Sequence, residues 1–466
     1  MKRLSLILLL CLPLLAAAKP GYKITLQVEG CTDSTILIGY YLLQERYVFD
    51  TAYNNGRGKF VFKGDRDLDP GLYFFTNNSD RFVEFAVYHE KPTFTFHTDQ
   101  RNWVTNMRVK GSYQNEVLFN YQRASNALYD EMMAAKNSMD SASFNEALKG
   151  IVARTDSLKH ALHREHPDAM VSKMIHATTV VEDKVPVNHP DGTPLSQRER
   201  YDYFMAHYFD YMPLDDEFII HTPKEVFYRR VTDYTDKYMR GMPPDEICPL
   251  LDSLIDRAEP APKVYHWLIN SITEKYLQST VMVYDEVYVH LVQRYFATGK
   301  VTWLSPSTID EQIERATKWD RLLVGREAPE LILFDTLRRA HSLHHMPGRY
   351  TLLLFWSPTC GHCREVIPAL YEAFIQVADS LDMTAFAILT EPDEHTMDKW
   401  KSFLKEHHMD SPRWINMSGG EANVDWREVY DIETTPQVYL IGNKDHRFLA
   451  KKLNASIFTE ICKTLK

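Results

Sequence analysis

The residues with the most chemistry to offer are Cys360 and Cys363, which stand three apart in Ser357-Pro358-Thr359-Cys360-Gly361-His362-Cys363. On a helix this spacing is about one turn, so the second sulfur can reach the first and close a disulfide. Upstream, Tyr350 to Trp356 is a continuous apolar run of the kind that forms a buried central strand. Downstream, Val366, Ile367, Leu370, Phe374 and Val377 recur at helical spacing. Strand, short loop, two cysteines and helix in that order place Cys360 at a helix N-terminus. Unpaired backbone N–H groups and the positive end of the helix dipole favour a thiolate there. Cys360 is therefore expected to attack, and Cys363 to resolve the mixed disulfide. The competing reading of such a pair is half a zinc site, which needs two further ligands such as a second pair. The sequence has no second pair, so the redox reading is preferred.

The chain's expected address agrees with disulfide chemistry. Lys2 and Arg3 precede an apolar run from Leu4 to Leu15 and then Ala16-Ala17-Ala18, the pattern of a secretory signal over residues 1–18 with Lys19 opening the mature chain. The run is short for a membrane span, which needs about twenty apolar residues, and no later stretch is long enough. Cys11 raises the question of a lipid anchor, and the large Leu10 before it argues against one. Loss of Lys2 and Arg3 leaves 51 basic against 63 acidic residues, a formal net charge of -12 where the whole chain has -10. With no basic run, nucleic-acid binding is excluded as an expectation. Of the five cysteines left, Cys31, Cys248 and Cys462 are scattered and read as small buried hydrophobes. The histidine triplets His160, His163, His166 and His341, His344, His345 lack a further ligand set, and read as a solvated helix face and a surface loop.

Three regions must carry and position these groups. Residues 19–110 alternate in polarity, as in Ile24, Leu26 and Val28, then Phe60 and Phe62, then Phe94 and Phe96, with turns at Asn54-Asn55-Gly56 and Asn77-Asn78-Ser79-Asp80. That pattern predicts an all-β, antiparallel sandwich whose aromatics form its core. Residues 111–323 change to helical spacing, with Leu118, Tyr121, Ser125, Leu128 and Met132 on one face. Helix starts are predicted at Thr222-Pro223 and Pro243-Pro244-Asp245, and a break over Asp183 to Thr193. Residues 324–466 form the third region, expected to be an α/β domain around the cysteine pair.

At its C-terminal end the chain resembles thioredoxin-fold proteins of the TlpA and ResA type. The matching residues are Ala328-Pro329-Glu330-Leu331 at the domain start, Trp356, Cys360-Gly361-His362-Cys363, Pro368, and Thr435-Pro436 before the run Gln437 to Ile441. The two upstream regions resemble, more loosely, β-sandwich and helical domains of unknown function that precede such modules in cell-envelope proteins of Bacteroidota. The resemblance implies a periplasmic or cell-envelope thiol–disulfide oxidoreductase with no cofactor beyond a Cys360–Cys363 disulfide. Its implied partners are protein thiol or disulfide clients and an envelope electron donor or acceptor. It implies that Pro436 is a cis-proline facing the site, that Thr435 offers backbone groups to a bound client strand, that Trp356 lies beside the disulfide, and that Pro368 kinks the helix. Glu391, just after the apolar run Phe386 to Leu389, occupies the place of an active-site glutamate that assists proton transfer. Two departures stand out: Leu354 replaces the buried aspartate of thioredoxins, and Gly361-His362 is the dipeptide of protein disulfide isomerase. A histidine there makes the couple more oxidising, about -180 mV for the isomerase against about -270 mV for thioredoxin.

Two rival functions share features with this pattern. A peroxiredoxin-like (AhpC/TSA-like) peroxidase shares the fold, and its active cysteine follows a proline by seven residues and a threonine or serine by three. Ser357 meets the second condition and Leu353 fails the first. A client-binding or scaffold protein with an accessory redox module is the other, since more than half the mature chain precedes residue 324.

Overall fold

The computed structural model describes residues 21–77, 81–179, 181–335 and 337–465. The expected leader, with Cys11, and residues 78–80 of the Asn77–Asp80 turn lie outside them. The chain divides into two compact units, Met1–Arg240 with Asp256–Tyr265, and Gly241–Ile255 with His266–Lys466.

The first unit opens with strands β1 (Tyr22–Glu29), β2 (Thr35–Leu42), β3 (Glu45–Tyr53), β4 (Lys59–Gly64), β5 (Gly71–Thr76), β6 (Phe82–Val87), β7 (Thr95–Asp99) and β8 (Arg108–Lys110). They form two sheets, β4-β1-β7-β8 and β3-β2-β5-β6. Period-two alternation turns Tyr22, Ile24, Leu26 and Val28 into a shared core with Ile36, Phe60, Phe75, Phe85 and Phe96. The sandwich is not wholly antiparallel, because β1 and β7 pair in parallel. The chain leaves the first sheet after β4, builds β5 and β6 in the second, and returns beside β1 from the same end. That excursion is the crossover a parallel pair requires.

All six residues of β5 are buried, so alternation fails there. A 3-10 turn, Glu217–His221, covers the second sheet's outer face, with Leu43 N–H on Ile220 O at 2.7 Å and the His221 ring on Tyr41 O at 2.9 Å. Gly71 is required beneath it, since a Cβ would meet His221 Cβ at 2.3 Å. The edge of β6 is closed by buried Asn115, whose amide bonds Ala86 N and O at 2.7 and 2.8 Å as a neighbouring strand would.

Helices α1 (Tyr113–Ser138), α2 (Ser141–Glu165), α3 (Met170–Ala177), α4 (Gln197–His207) and α5 (Tyr228–Asp233) follow. Ser112, Asp140 and Ser196 cap the first, second and fourth through their side-chain oxygens. On the stripe read from sequence, Leu118 is buried and Tyr121, Ser125, Leu128 and Met132 are half-buried. Thr222-Pro223 opens no helix directly. Thr222 ends the 3-10 turn, Val226 N–H returns to Pro223 O, and α5 starts only at Tyr228. The Asp183–Thr193 break holds a short 3-10 turn, Glu182–Lys184, and an isolated bridge between Asn188 and Pro194.

Helices α6 (Pro244–Asp256), α7 (Pro262–Leu277), α8 (Asp285–Leu291) and α9 (Pro306–Arg321) complete the helical region, with Pro244 opening α6 as the sequence predicts. In the second unit, α8 contributes Asp285, buried and paired to Lys451 at 2.7 Å and Lys452 at 2.6 Å.

The rest of that unit is β9 (Ile332–Asp335), β10 (Ala340–Ser342), β11 (Tyr350–Trp356), α10 (Gly361–Val377), β12 (Met383–Leu389), α11 (Glu394–Glu406), β13 (Trp414–Ala422), α12 (Trp426–Val429), β14 (Gln437–Gly442), β15 (Arg447–Lys451) and α13 (Ala455–Thr464). The strands make one sheet, β10-β9-β13-β12-β11-β14-β15. Leu352, Leu354 and Trp356 face one core, with Ile367, Phe374 and Phe458, while Leu353 and Phe355 face another, with Tyr430 and Tyr439. A strand buried on both faces must read as an unbroken apolar run, which is why β11 was legible. This C-terminal domain has the thioredoxin fold. Among the described residues, no helix is long and apolar enough to cross a membrane.

Candidate active site

Three strand ends converge on the cysteine pair, and their register determines which residues meet. In β11 and β12, which run parallel, Trp356 pairs with Leu389. Both chains leave the sheet there, so Ser357 to Thr359 and Thr390 to Glu391 emerge side by side. β14 is antiparallel to β11, with Gln437 opposite Phe355, so Pro436 and Thr435 arrive from the other flank. The Thr435–Pro436 peptide bond is cis.

Cys360 is the N-cap of α10. Its sulfur accepts the Cys363 N–H at 3.3 Å, the place a serine or aspartate oxygen takes in an ordinary cap. As a thiol it also reaches Thr435 O, at 3.3 Å. Both cysteines are present as free thiols. Burial alone would raise the Cys360 pKa, but the Cys363 thiol and N–H, the Thr435 side chain and the His362 N–H all direct hydrogen bonds at its sulfur and bring it below the ordinary thiol value. Cys363 has no exposed surface. Burial first, and the Cys360 sulfur beside it, push its thiol up to about 11, against the Ser357 N–H and Thr435 side chain, which lower it. One sulfur of the pair is therefore half-buried and acidic, and the other sealed and basic.

Trp356 is fully buried and packs with Phe403, ring centroids 5.3 Å apart, in the core cluster that also holds Cys363. Gly361 and His362 are exposed in the first turn of α10. Pro368 lies inside α10. Leu354 is buried in the same core, so no carboxylate sits beneath the pair at that position. Glu391 comes to the site from the β12 side, where its Oε2 accepts the hydroxyls of Ser357 at 3.0 Å and Thr359 at 2.9 Å.

Those two hydroxyls were missed as partners of Glu391. The legible signal was a pair of hydroxyl residues flanking Pro358 directly before Cys360, although nothing local shows what they bind. Arg427 was also missed: its guanidinium stacks 4.1 Å over Trp426 and donates to Thr390 O, bracing the turn that carries Glu391.

Of the other cysteines, Cys248 and Cys462 are buried, while Cys31 is half-buried with its thiol 3.6 Å from Asp33. The histidine triplets take part in local structure. His163 stacks on His176 at 4.1 Å, and His166 caps α2 and bonds the Tyr113 hydroxyl at 2.9 Å. The second triplet is more than a loop, with His341 on β10 bonded to Asp335 at 3.1 Å and His344 in a 3-10 turn bonded to Ala328 O at 2.6 Å. Among the described residues, no group of three or more His, Cys, Asp or Glu side chains is arranged to hold an ion.

A dithiol at the head of a helix, with one thiol depressed and its neighbour raised on a thioredoxin fold, defines the class of thioredoxin-like proteins. Sequence comparison places this chain's relatives in the same class. It is 25% identical over 120 residues to the thioredoxin-like protein YneN of Bacillus subtilis, spanning 26% of this chain and 66% of that protein. It is 24% identical over 133 residues to the thiol-disulfide oxidoreductase ResA of Bacillus thuringiensis, spanning 28% of this chain and 71% of that one. A crystal structure of a thioredoxin-like protein from Bacteroides caccae aligns at 21% identity and a TM-score of 0.49, covering 60% of this chain and 98% of that one. Upstream, residues 22–118 match a domain of unknown function, DUF4369, and residues 164–318 match another, DUF5106.

Proposed function

We propose that the protein is an exported thiol–disulfide oxidoreductase that exchanges disulfides with protein thiols in the cell envelope through Cys360 and Cys363. The observation that carries this reading is the placing of the two thiols: Cys360 heads α10 half-buried, its sulfur accepting the Cys363 N–H at 3.3 Å, while Cys363 has no exposed surface, so that the first is shifted downward and the second up to about 11. A nucleophile must be ionised and reachable at neutral pH, whereas the resolving thiol must stay protonated until a mixed disulfide exists.

In the reducing direction, the Cys360 thiolate attacks a client disulfide. A bond forms between Cys360 and one client sulfur, and the other client sulfur leaves as a thiolate. Cys363 then loses its proton and attacks the Cys360 sulfur, forming the Cys360–Cys363 disulfide and releasing the second client thiol. Oxidation of a client is the same sequence reversed. Two electrons move with the sulfur bonds, so the reaction needs no bound cofactor. Glu391, in the loop beside the pair, is assigned the proton of Cys363. Thr435, next to Pro436 and bonded to the Cys360 sulfur, lies where a client strand would pair, and exposed His362 leaves the nucleophile's outer side open.

The peroxidase alternative is the less favoured, since Leu353 stands where its proline is expected and the Ser357 hydroxyl donates to Glu391. The test of the proposal is capture in the cell envelope. Cys363→Ser should accumulate a covalent client adduct through Cys360, and Cys360→Ser should abolish turnover. Recovery of no reducible adduct from the Cys363→Ser protein in its own envelope would refute it.

A further inference from the structure

The loop Ser357-Pro358-Thr359 binds the carboxylate of Glu391 in an arrangement that a connecting turn does not need. Ser357 Oγ donates to Glu391 Oε2 at 3.0 Å and Thr359 Oγ1 donates to the same oxygen at 2.9 Å. The two hydroxyls stand 2.7 Å apart, and the Thr359 N–H fixes Ser357 Oγ at 3.2 Å. Ser357 is buried, while Thr359 and Glu391 are exposed, so the clamp draws a solvent-side carboxylate against the wall of the site. Ser357 also borders the cysteine pair, since its carbonyl accepts the Cys360 N–H at 3.2 Å and its own N–H lowers the Cys363 thiol pKa. One residue thus joins the cysteine loop to the carboxylate.

We propose that Ser357 and Thr359 are positioning residues that hold Glu391 where it can take the proton of Cys363, so that resolution of the mixed disulfide depends on this pair of hydroxyls. The inference rests on the oxidoreductase reading and adds to it the residues that make the proton acceptor effective. In the step concerned, the Cys363 S–H bond breaks and the proton goes to Glu391. The Cys363 sulfur bonds to Cys360, the Cys360–client bond breaks, and the departing client thiolate recovers a proton from Glu391 or from water. Run backwards, Glu391 returns the proton to Cys363. Without the clamp, an exposed glutamate spreads over several rotamers and is only occasionally in reach.

The test uses the full reduced chain and oxidised glutathione as the disulfide. Rapid mixing, acid quench and mass analysis separate capture of glutathione at Cys360 from its release by Cys363. Ser357→Ala with Thr359→Val should leave capture unchanged and slow release about tenfold or more, the size expected on losing a hydrogen bond to a charged group. Ser357→Thr and Thr359→Ser, which keep the hydroxyls, should restore release. In a Glu391→Gln background, removal of the hydroxyls should slow release no further, because they act through that carboxylate. Equal slowing in both backgrounds, or none in either, overturns the proposal. Thr359→Val alone, at an exposed position, gives the same comparison should the double variant fold poorly. If the unsubstituted reduced chain forms neither a glutathione adduct at Cys360 nor the Cys360–Cys363 disulfide, the oxidoreductase reading falls first and this inference with it.

Discussion

Replacing Cys360 by Ser and alkylating the reduced variant across a pH series isolates Cys363 and asks how far burial alone restrains it. Cys363 has no exposed surface, and its thiol is pushed up to about 11. At pH 7 a group with that pKa is ionised in about one molecule in ten thousand, against about three in a hundred for an ordinary cysteine. Roughly a three-hundredfold handicap follows before any steric barrier is counted. The substitution removes the sulfur of Cys360, which contributes to the rise, but leaves burial, the largest cause. Alkylation of Cys363 in the variant should therefore stay far slower at pH 7 than that of Cys360 in the unsubstituted chain. It should also climb close to tenfold per pH unit until well above pH 9. Cys360 in the Cys363→Ser variant should instead react readily near neutrality and level off early, since its pKa lies below the ordinary thiol value. Peptide-level mass spectrometry of iodoacetamide-treated protein reads both rates. If Cys363 is modified at pH 7 as fast as Cys360, the division of labour argued above is wrong.

Two further outcomes follow from buried charge in the second unit. Asp285 is 1% exposed and neutralises Lys451, itself 7% exposed, so Asp285→Asn should cost about 3–5 kcal/mol, the usual result of stranding one member of a buried pair. A change under about 1 kcal/mol in denaturant unfolding followed by tryptophan fluorescence would show that Lys451 escapes to solvent instead. Burial of Asp335 would raise its pKa, but the N–H of Arg339 and the His341 and Arg339 side chains outweigh it and hold the carboxyl at about 2. A depressed folded-state pKa supplies stability above the unfolded value near pH 4, which is lost as pH falls toward 2. Asp335→Asn should flatten acid unfolding between those limits, and an unchanged acid transition would refute the assignment.

Much of the redox domain could be read without coordinates. Both faces of β11 are buried, so Tyr350 to Trp356 had to be apolar throughout, and two cysteines three apart at its end followed by a helical stripe left little choice of local geometry. The upstream sandwich was legible from period-two alternation in β1 and β4. It was less so in β5, because Glu217–His221, some 140 residues later, covers the face that alternation assigns to solvent. The parallel β1–β7 pair escaped for a related reason: strand spacing along the chain does not say from which end a strand returns.

The amino-acid order by itself determined that one thiol would head a helix and the other lie a turn inside it, because both facts depend on residues within a few positions of each other. Glu391 lies 31 residues from Cys360 and Thr435 lies 75 away, and no local pattern joins them to the pair. The parallel register that sets Trp356 opposite Leu389, and the antiparallel one that sets Phe355 opposite Gln437, deliver them there. Only the assembled sheet decides which carboxylate the hydroxyls of Ser357 and Thr359 meet, since strand pairing converts a long separation in sequence into a hydrogen-bonding distance.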